Sequence, residues 1–131
     1  MRTDFRHWVT VVVVLAVSLG LLAGARTLNS HRPAVQELTL VARGMSFRLE
    51  GSCNENPEIR LRVGGHVRVR FRNEDTGVEH GLTIPEFGLQ TGILKAGQEQ
   101  ILDLVPRSPG RFAYHCALHS RMMQGTLVVI R

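Results

Sequence analysis

A thiol, an imidazole and a thioether lie close together near the end of this 131-residue sequence. Two residues separate Cys116 from His119 and three separate His119 from Met123, so one short loop could direct all three side chains at a common point. His80, which opens a short apolar run after a polar segment, is the best candidate for a fourth donor. Two imidazoles, a thiolate and a weak thioether form the donor set of mononuclear blue-copper sites, which pass single electrons.

Other metal sites suit these residues less well. Zinc accepts histidine and cysteine but has little use for a thioether, and structural zinc sites normally have four Cys or His ligands. The sequence contains only two cysteines, Cys53 and Cys116. This number excludes a four-cysteine zinc or iron–sulfur site, and also a miniprotein held together by several disulfides. One copper ion, as Cu(I) or Cu(II), is therefore the favoured cofactor.

The elements that position these residues are predicted to be strands, because apolar residues after position 35 recur with a period of two. In residues 59–63 and 67–71 every second residue is arginine, which predicts one buried and one solvent-facing side. Gly64 and Gly65 mark a turn between these runs. Similar runs lie at 37–41, 46–49, 81–84, 100–105, 111–115 and 126–130. This pattern predicts an all-β fold, an antiparallel Greek-key sandwich.

The two-residue period of the strand places His115 on the face opposite Cys116. If Phe112, Tyr114 and Cys116 share the inward face of one strand, His115 points to the opposite side. We therefore expect His115 to be a surface or structural histidine, and His119 to be the imidazole that accompanies the thiolate.

The charge balance argues against nucleic acid as a partner. Sixteen basic residues are interleaved with eleven acidic ones, which gives a formal net charge of +5 without a continuous basic block. The outward-facing arginines could form a basic docking stripe, but a solvated strand face is the more common arrangement; they are Arg60, Arg62, Arg68, Arg70 and Arg72. Aromatic residues are not interleaved with them, as a platform for single-stranded nucleic acid would require.

An uncharged apolar run of 18 residues, 8–25, follows Arg2 and Arg6 and is typical of an export segment. It ends in a small-x-small pattern that signal peptidase could cleave, but it also just reaches the roughly 18–20 residues that span a bilayer. Residues 1–25 are therefore predicted to form one hydrophobic export helix, either a signal peptide or an N-terminal membrane anchor. Residues 26–34 form a linker and 35–131 the folded domain. Both alternatives place that domain in the periplasm or another extracytoplasmic compartment.

The C-terminal motif and two upstream segments resemble the cupredoxin family. FAYHCALH at 112–119, two methionines and GTLVV at 125–129 resemble the copper-binding loop of cupredoxins. Residues 56–73 are similar to the family's strand, glycine turn, strand and asparagine pattern. HGLTIP at 80–85 resembles the first-histidine segment of cytochrome oxidase subunit II copper domains. The resemblance spans roughly residues 37–131. It implies a cupredoxin-like domain that binds one copper and transfers single electrons. Because His119 lies between Leu118 and Met122 in the loop, we expect its ring edge to reach solvent through an apolar patch where a redox partner docks.

The resemblance also bears on the axial ligand. Family members commonly have x-Gly after the axial methionine, and Met123 followed by Gln124 and Gly125 fits that pattern. Met122 fits the shorter loop spacing of other members and is the alternative. Gln124 is a third candidate, because some members use an axial glutamine. The expected copper ligands are thus His80, Cys116, His119 and Met123.

Two positions depart from the family pattern. The oxidase-type binuclear site needs two cysteines in the loop, whereas this loop contains only Cys116, so a mononuclear site is expected. Many members also have asparagine after the first histidine, where its contacts help to fix the ligand loop. Gly81 occupies that position here.

Other functions remain compatible with the sequence. A periplasmic copper-binding protein for copper delivery or tolerance would use the same donors without redox turnover. Enzyme activity is not expected, because one small domain offers no second set of histidines for a substrate-reducing cluster. The purely structural alternative is a disulfide between Cys53 and Cys116 in an immunoglobulin-like sandwich. We expect a monomer, tethered to the membrane if the N-terminal helix is retained.

Overall fold

Alternation of apolar and polar residues produces nine strands in residues 34–131, the part of the chain that the computed structural model describes. They are β1 Gln36–Arg43, β2 Ser46–Leu49, β3 Glu58–Arg62, β4 Val67–Asn73, β5 Leu82–Ile84, β6 Leu89–Gln90, β7 Glu99–Leu104, β8 Gly110–Cys116 and β9 Gln124–Ile130. A 3₁₀ turn, Pro85–Phe87, follows β5. The predicted export helix, and the predicted linker except for its last residue, lie outside the described residues. Residues 34–131 contain no helix long and apolar enough to cross a membrane.

The strands form two sheets, with the orders β2-β1-β4-β7 and β3-β9-β8-β5-β6. The predicted all-β sandwich is confirmed, and each predicted strand is present within two residues of its expected ends. The purely antiparallel arrangement was wrong, because β1 pairs with β4 and β3 pairs with β9 in parallel. Turn residues indicate which strands can form hairpins, but parallel pairs join strands that are distant in the sequence. Both sheets are therefore mixed.

The predicted turn at Gly64 and Gly65 joins the two sheets. It connects β3 in one sheet to β4 in the other, so the two arginine-rich runs do not form a hairpin. Gly64 has a φ of 75°, a left-handed conformation that glycine adopts without steric cost. The turn carries the chain from one layer of the sandwich to the other.

The inward faces of both sheets supply the core. Strand β4 alternates strictly, with Val67, Val69 and Phe71 buried between its arginines. Phe47 packs its ring against Phe71 and Tyr114, with centroid separations of 5.9 and 5.4 Å. Because Tyr114 lies on β8 two residues before Cys116, this aromatic cluster anchors the strand that leads to the predicted metal site.

Acidic neighbours accompany the outward arginines of β4. Arg70 lies 2.5 Å from Glu99, and the other pairs are Arg68–Glu37, Arg68–Asp103, Arg72–Glu50 and Arg72–Glu74, at 2.7 to 3.2 Å. Exposed pairs of this kind contribute little stability, typically below about 1 kcal/mol each. They neutralise the arginines locally, which favours the solvated strand face over a basic docking stripe.

The two cysteines do not form the disulfide of the structural alternative. Cys53 is exposed in the loop between β2 and β3, whereas Cys116 is buried at the end of β8, and both are free thiols. The disulfide-linked immunoglobulin-like domain was therefore wrong. Spacing in the sequence could not reveal that the two side chains occupy such different environments.

Candidate metal centre

Three candidate ligands converge at one end of the sandwich. His80 lies two residues before the start of β5, Cys116 is the last residue of β8, and His119 lies in the loop between β8 and β9. The Cys116 Sγ atom lies 3.7 Å from His80 Nδ1 and 3.6 Å from His119 Nδ1. One donor atom from each of the three residues lies within 4.8 Å of the other two. Residues 36 positions apart in the sequence are thus brought to a common point.

These distances fit a single metal ion held between the donors. Metal–sulfur and metal–nitrogen bonds of about 2.3 and 2.0 Å, at angles between tetrahedral and trigonal, would separate sulfur from nitrogen by about 3.5–3.7 Å. The observed separations lie within this range. One sulfur and two imidazole donors suit copper in either oxidation state. His80, Cys116 and His119 therefore form a group able to hold copper.

The three axial candidates lie in different environments. Met123 is fully buried, whereas 61% of Met122 is exposed and Gln124 is exposed at the start of β9. Of the three, only Met123 is buried, and its role as axial ligand stays a prediction. His115 is absent from the His–Cys–His group and is half-buried on β8, in agreement with its predicted opposite orientation.

Main-chain hydrogen bonds close the ligand loop. The Cys116 amide donates to the Met123 carbonyl over 2.9 Å, and the Met123 amide donates to the His119 carbonyl over the same distance. The Ala117 amide donates to the Gly81 carbonyl over 3.1 Å, which joins the loop to the His80 segment. A Cβ at Gly81 would lie 3.0 Å from Ile93 Cδ1. It would also lie 3.3 Å from the Gly92 carbonyl oxygen, so a side chain here would require both neighbours to shift by a few tenths of an ångström.

Asn56 fixes the ligand loop from a distance, a role that the sequence did not reveal. Its Nδ2 donates to the Met122 carbonyl over 3.0 Å, and its Oδ1 accepts from the Phe47 amide over 3.0 Å. Asn56 has a φ of 47°, a left-handed conformation that asparagine tolerates better than most residues. Its contact with a residue 66 positions away could not be read from local spacing.

The glycine after Met123 makes room for Tyr114. A Cβ added at Gly125 would lie 2.3 Å from both Cζ and Oη of the tyrosine. The Tyr114 hydroxyl donates to the Pro57 carbonyl over 2.6 Å, and burial raises the pKa of Tyr114, which keeps the hydroxyl protonated. The x-Gly pattern thus has a packing cause in this chain.

A carboxylate lies behind His80. Asp75 Oδ2 is 2.8 Å from His80 Nε2, on the side of the ring away from Cys116. Burial by itself raises the pKa of Asp75, but hydrogen bonds from the Gly44 amide, the His80 ring and the Met45 amide lower it to below its ordinary value. The sequence did not predict this contact.

Apolar side chains surround the accessible ligand. His119 is half-buried, and the exposed fractions of Leu118, Met122 and Ile93 are 53%, 61% and 44%. We call these three residues the apolar rim. Leu118 and Met122 lie on either side of His119 in the ligand loop. Ile93 Cδ1 lies 3.0 Å from where a Cβ at Gly81 would be, and the Gly81 carbonyl accepts a hydrogen bond from the Ala117 amide of the loop. Arg121 in the same loop is exposed.

Solved structures of copper proteins share this fold. A rusticyanin variant is 21% identical, covers 73% of this chain and 77% of its own, and superposes with a TM-score of 0.62. Rusticyanin from Thiobacillus ferrooxidans is 20% identical with the same coverage and a TM-score of 0.59. The metal-binding domain of the Streptococcus pneumoniae Cu(I)-exporting P-type ATPase, solved with Cu(I), is 16% identical over 74% of this chain and 87% of its own, with a TM-score of 0.59.

Sequence comparison agrees with the structural likeness at the level of the family. No curated protein sequence matches the chain significantly. A family model, described as a cupredoxin-like domain, matches residues 13–129. This match covers most of the chain, including every candidate ligand. The chain therefore belongs to the cupredoxin-like domain family.

Proposed function

We propose that this protein is an exported mononuclear type 1 copper protein that transfers single electrons. The observation that carries the proposal is the His–Cys–His group, whose donor atoms lie within 4.8 Å of one another in a cupredoxin fold. His80, Cys116 and His119 would form the ligand plane, with the buried Met123 as axial ligand. Copper bound there would supply a one-electron couple between Cu(I) and Cu(II).

The surrounding residues suit electron transfer in two ways. Cys116 and His80 are fully buried, so water has little access to the thiolate and the first imidazole. Hydrogen bonds from Asn56 and within the loop hold the ligand residues in place. A site that changes little in geometry needs little reorganisation when its charge changes. His119, being half-buried, gives electrons a route to the surface.

The apolar rim is the proposed docking surface for a redox partner. Leu118, Met122 and Ile93 offer apolar contact around His119, and Arg121 at the edge favours an acidic partner. Exposed charges make such an association faster at low salt and weaker at high salt. We propose that the domain acts as a monomer outside the cytoplasm, delivered by residues 1–25 as a signal peptide or a membrane anchor.

Copper delivery or tolerance is the second candidate function. The fold resembles a Cu(I)-bound domain of a copper exporter, and the thioether-bearing Met122 lies exposed three residues after His119. Thioethers favour Cu(I), so Met122 could receive or release the ion. A reversible reduction potential with fast self-exchange would support electron transfer. Rapid loss of copper to a chelator or an acceptor protein would support delivery instead.

Copper titration tests the proposed site. Addition of Cu(II) should give one copper per chain and an intense blue or green band from thiolate-to-copper charge transfer. Cys116→Ser should abolish the band. Cys53→Ser is the matched control and should retain it, since Cys53 is exposed in another loop. A colourless protein, or equal loss of colour in both variants, would refute the assignment.

A further inference from the structure

We propose that Asp75 is a positioning residue of the metal centre, which fixes the orientation and tautomer of His80 and lowers the reduction potential of the bound copper. This inference rests on the proposed function. It concerns a carboxylate that contacts a candidate ligand rather than the ion, on the opposite side of the imidazole from Cys116.

The contacts of His80 determine where its ring proton lies. Its ring is completely buried, with Nδ1 facing Cys116 Sγ at 3.7 Å and Nε2 facing Asp75 Oδ2 at 2.8 Å. An ionised carboxylate can only accept a hydrogen bond, so Nε2 carries the proton and donates it. In the neutral imidazole, Nδ1 is then left with a free lone pair directed toward Cys116. Metal-binding histidines generally have such an outer partner on the second nitrogen.

Asp75 is itself held firmly. Its Oδ1 accepts from the Gly44 amide over 2.6 Å, and its own amide donates to Asn73 Oδ1 over 2.9 Å. Asn73 is fully buried and donates through Nδ2 to the Val78 and Leu94 carbonyls, both over 2.8 Å. These bonds fix the loop between β4 and β5, which carries Asp75 and leads to His80. The carboxylate thus cannot move away without breaking the loop.

The negative charge of Asp75 favours the more highly charged copper ion. Its side chain is only 15% exposed, so water screens the charge incompletely. The interaction passes through one imidazole ring, and it stabilises Cu(II) more than Cu(I) because the former carries the greater positive charge. A ligand set of the same atoms without this carboxylate would therefore have a higher reduction potential.

Two isosteric variants separate this effect from a general change in charge. Asp75→Asn removes the charge at the His80 contact, whereas Glu74→Gln removes the same charge at the neighbouring residue. The Glu74 carboxylate pairs with Arg43 and Arg72 instead of His80. Loss of an outer partner of a metal-binding histidine typically weakens metal binding about 10- to 100-fold. We expect Asp75→Asn to weaken Cu(II) binding at least tenfold and Cu(I) binding much less.

The reduction potential gives the decisive comparison between the variants. A tenfold selective loss of Cu(II) binding corresponds to a positive shift of about 59 mV in a one-electron couple. We expect that shift in Asp75→Asn and a potential close to that of the unaltered protein in Glu74→Gln. Equal shifts in both variants, or no shift in Asp75→Asn, would overturn the proposal.

The tautomer of His80 can be measured without copper. In the metal-free, unaltered protein, ¹⁵N NMR of the neutral His80 imidazole should show a proton on Nε2 and none on Nδ1. A proton on Nδ1 would overturn the proposal even if Asp75→Asn failed to fold. If the chain bound no copper but His80 carried its proton on Nε2, the proposed function would fail while the positioning by Asp75 would stand.

Discussion

Gly125→Ala should destabilise the protein because the added methyl group would overlap Tyr114. Its carbon would lie 2.3 Å from two atoms of the phenol, Cζ and Oη, far inside a normal van der Waals contact. Tyr114 cannot easily move, since its ring packs against Phe47 and its hydroxyl donates to the Pro57 carbonyl over 2.6 Å. Gly125 has no positive φ, so alanine should accept the backbone conformation and the cost should be steric.

The expected loss of stability is the sum of opposing contributions. Overpacking of a core typically costs about 1–3 kcal/mol. If the phenol is displaced, the loss of its buried hydrogen bond adds about 1–3 kcal/mol. The smaller conformational entropy of alanine in the unfolded chain returns about 0.4–1 kcal/mol. The centres of these ranges combine to an expected fall of about 3 kcal/mol in the free energy of unfolding.

Urea unfolding of the metal-free protein measures this change. Gly92→Ala is the matched control, because the nearest heavy atom to its added Cβ would be Gln100 Oε1 at 3.8 Å and its φ is not positive. We expect this variant to be stabilised by about 0.4–1 kcal/mol through the smaller entropy of its unfolded chain. Gly125→Ala should also cost much less in a Tyr114→Leu background, which removes the opposing ring. Equal effects of the two alanines, or full additivity with Tyr114→Leu, would refute the steric argument.

Three further predictions concern the ligand loop and its surroundings. Met123→Leu should retain the copper colour and shift the reduction potential, whereas Met122→Leu should change the potential much less. The reverse result would identify Met122 as the axial ligand, in agreement with the shorter loop spacing. Leu118→Asp should slow electron exchange with a redox partner and leave the copper spectrum nearly unchanged, and unaltered kinetics would contradict docking at the apolar rim. Asn56→Ala leaves the Met122 carbonyl and the Phe47 amide without their partner. The urea midpoint of this variant should fall by an amount equivalent to about 1–3 kcal/mol. An unchanged midpoint would mean that the ligand loop keeps its conformation without the Asn56 hydrogen bonds.

Local patterns in the sequence predicted the structural features that depend on residues close together in the chain. The period of two located the strands, and the spacing of Cys116 and His119 located two donors on one loop. Cross-strand partners depend on tertiary structure instead. The parallel pairs and the contacts of Asn56 and Asp75 join segments that no turn signal connects, so the sequence could not reveal them.

The place of His80 in the site was predicted by combining local sequence patterns with the resemblance to a family. Its place at the start of an apolar run is local, but its convergence with Cys116 was inferred from the donor set and the family pattern. The structure brings their donor atoms to 3.7 Å. The partner on the other side of the ring, Asp75, belongs to a polar segment whose composition is typical of any turn.

The parallel pairing of β3 with β9 has a consequence for the order of folding events. β9 follows every other described strand in the sequence, yet it lies inside its sheet, between β3 and β8. Pairing strands so distant in the chain requires closure of a long loop, and folds dominated by such contacts form slowly. The ligand loop ends where β9 begins, so the loop should reach its final shape only when β9 docks. The slowest step of folding and the completion of the metal site are therefore expected to coincide.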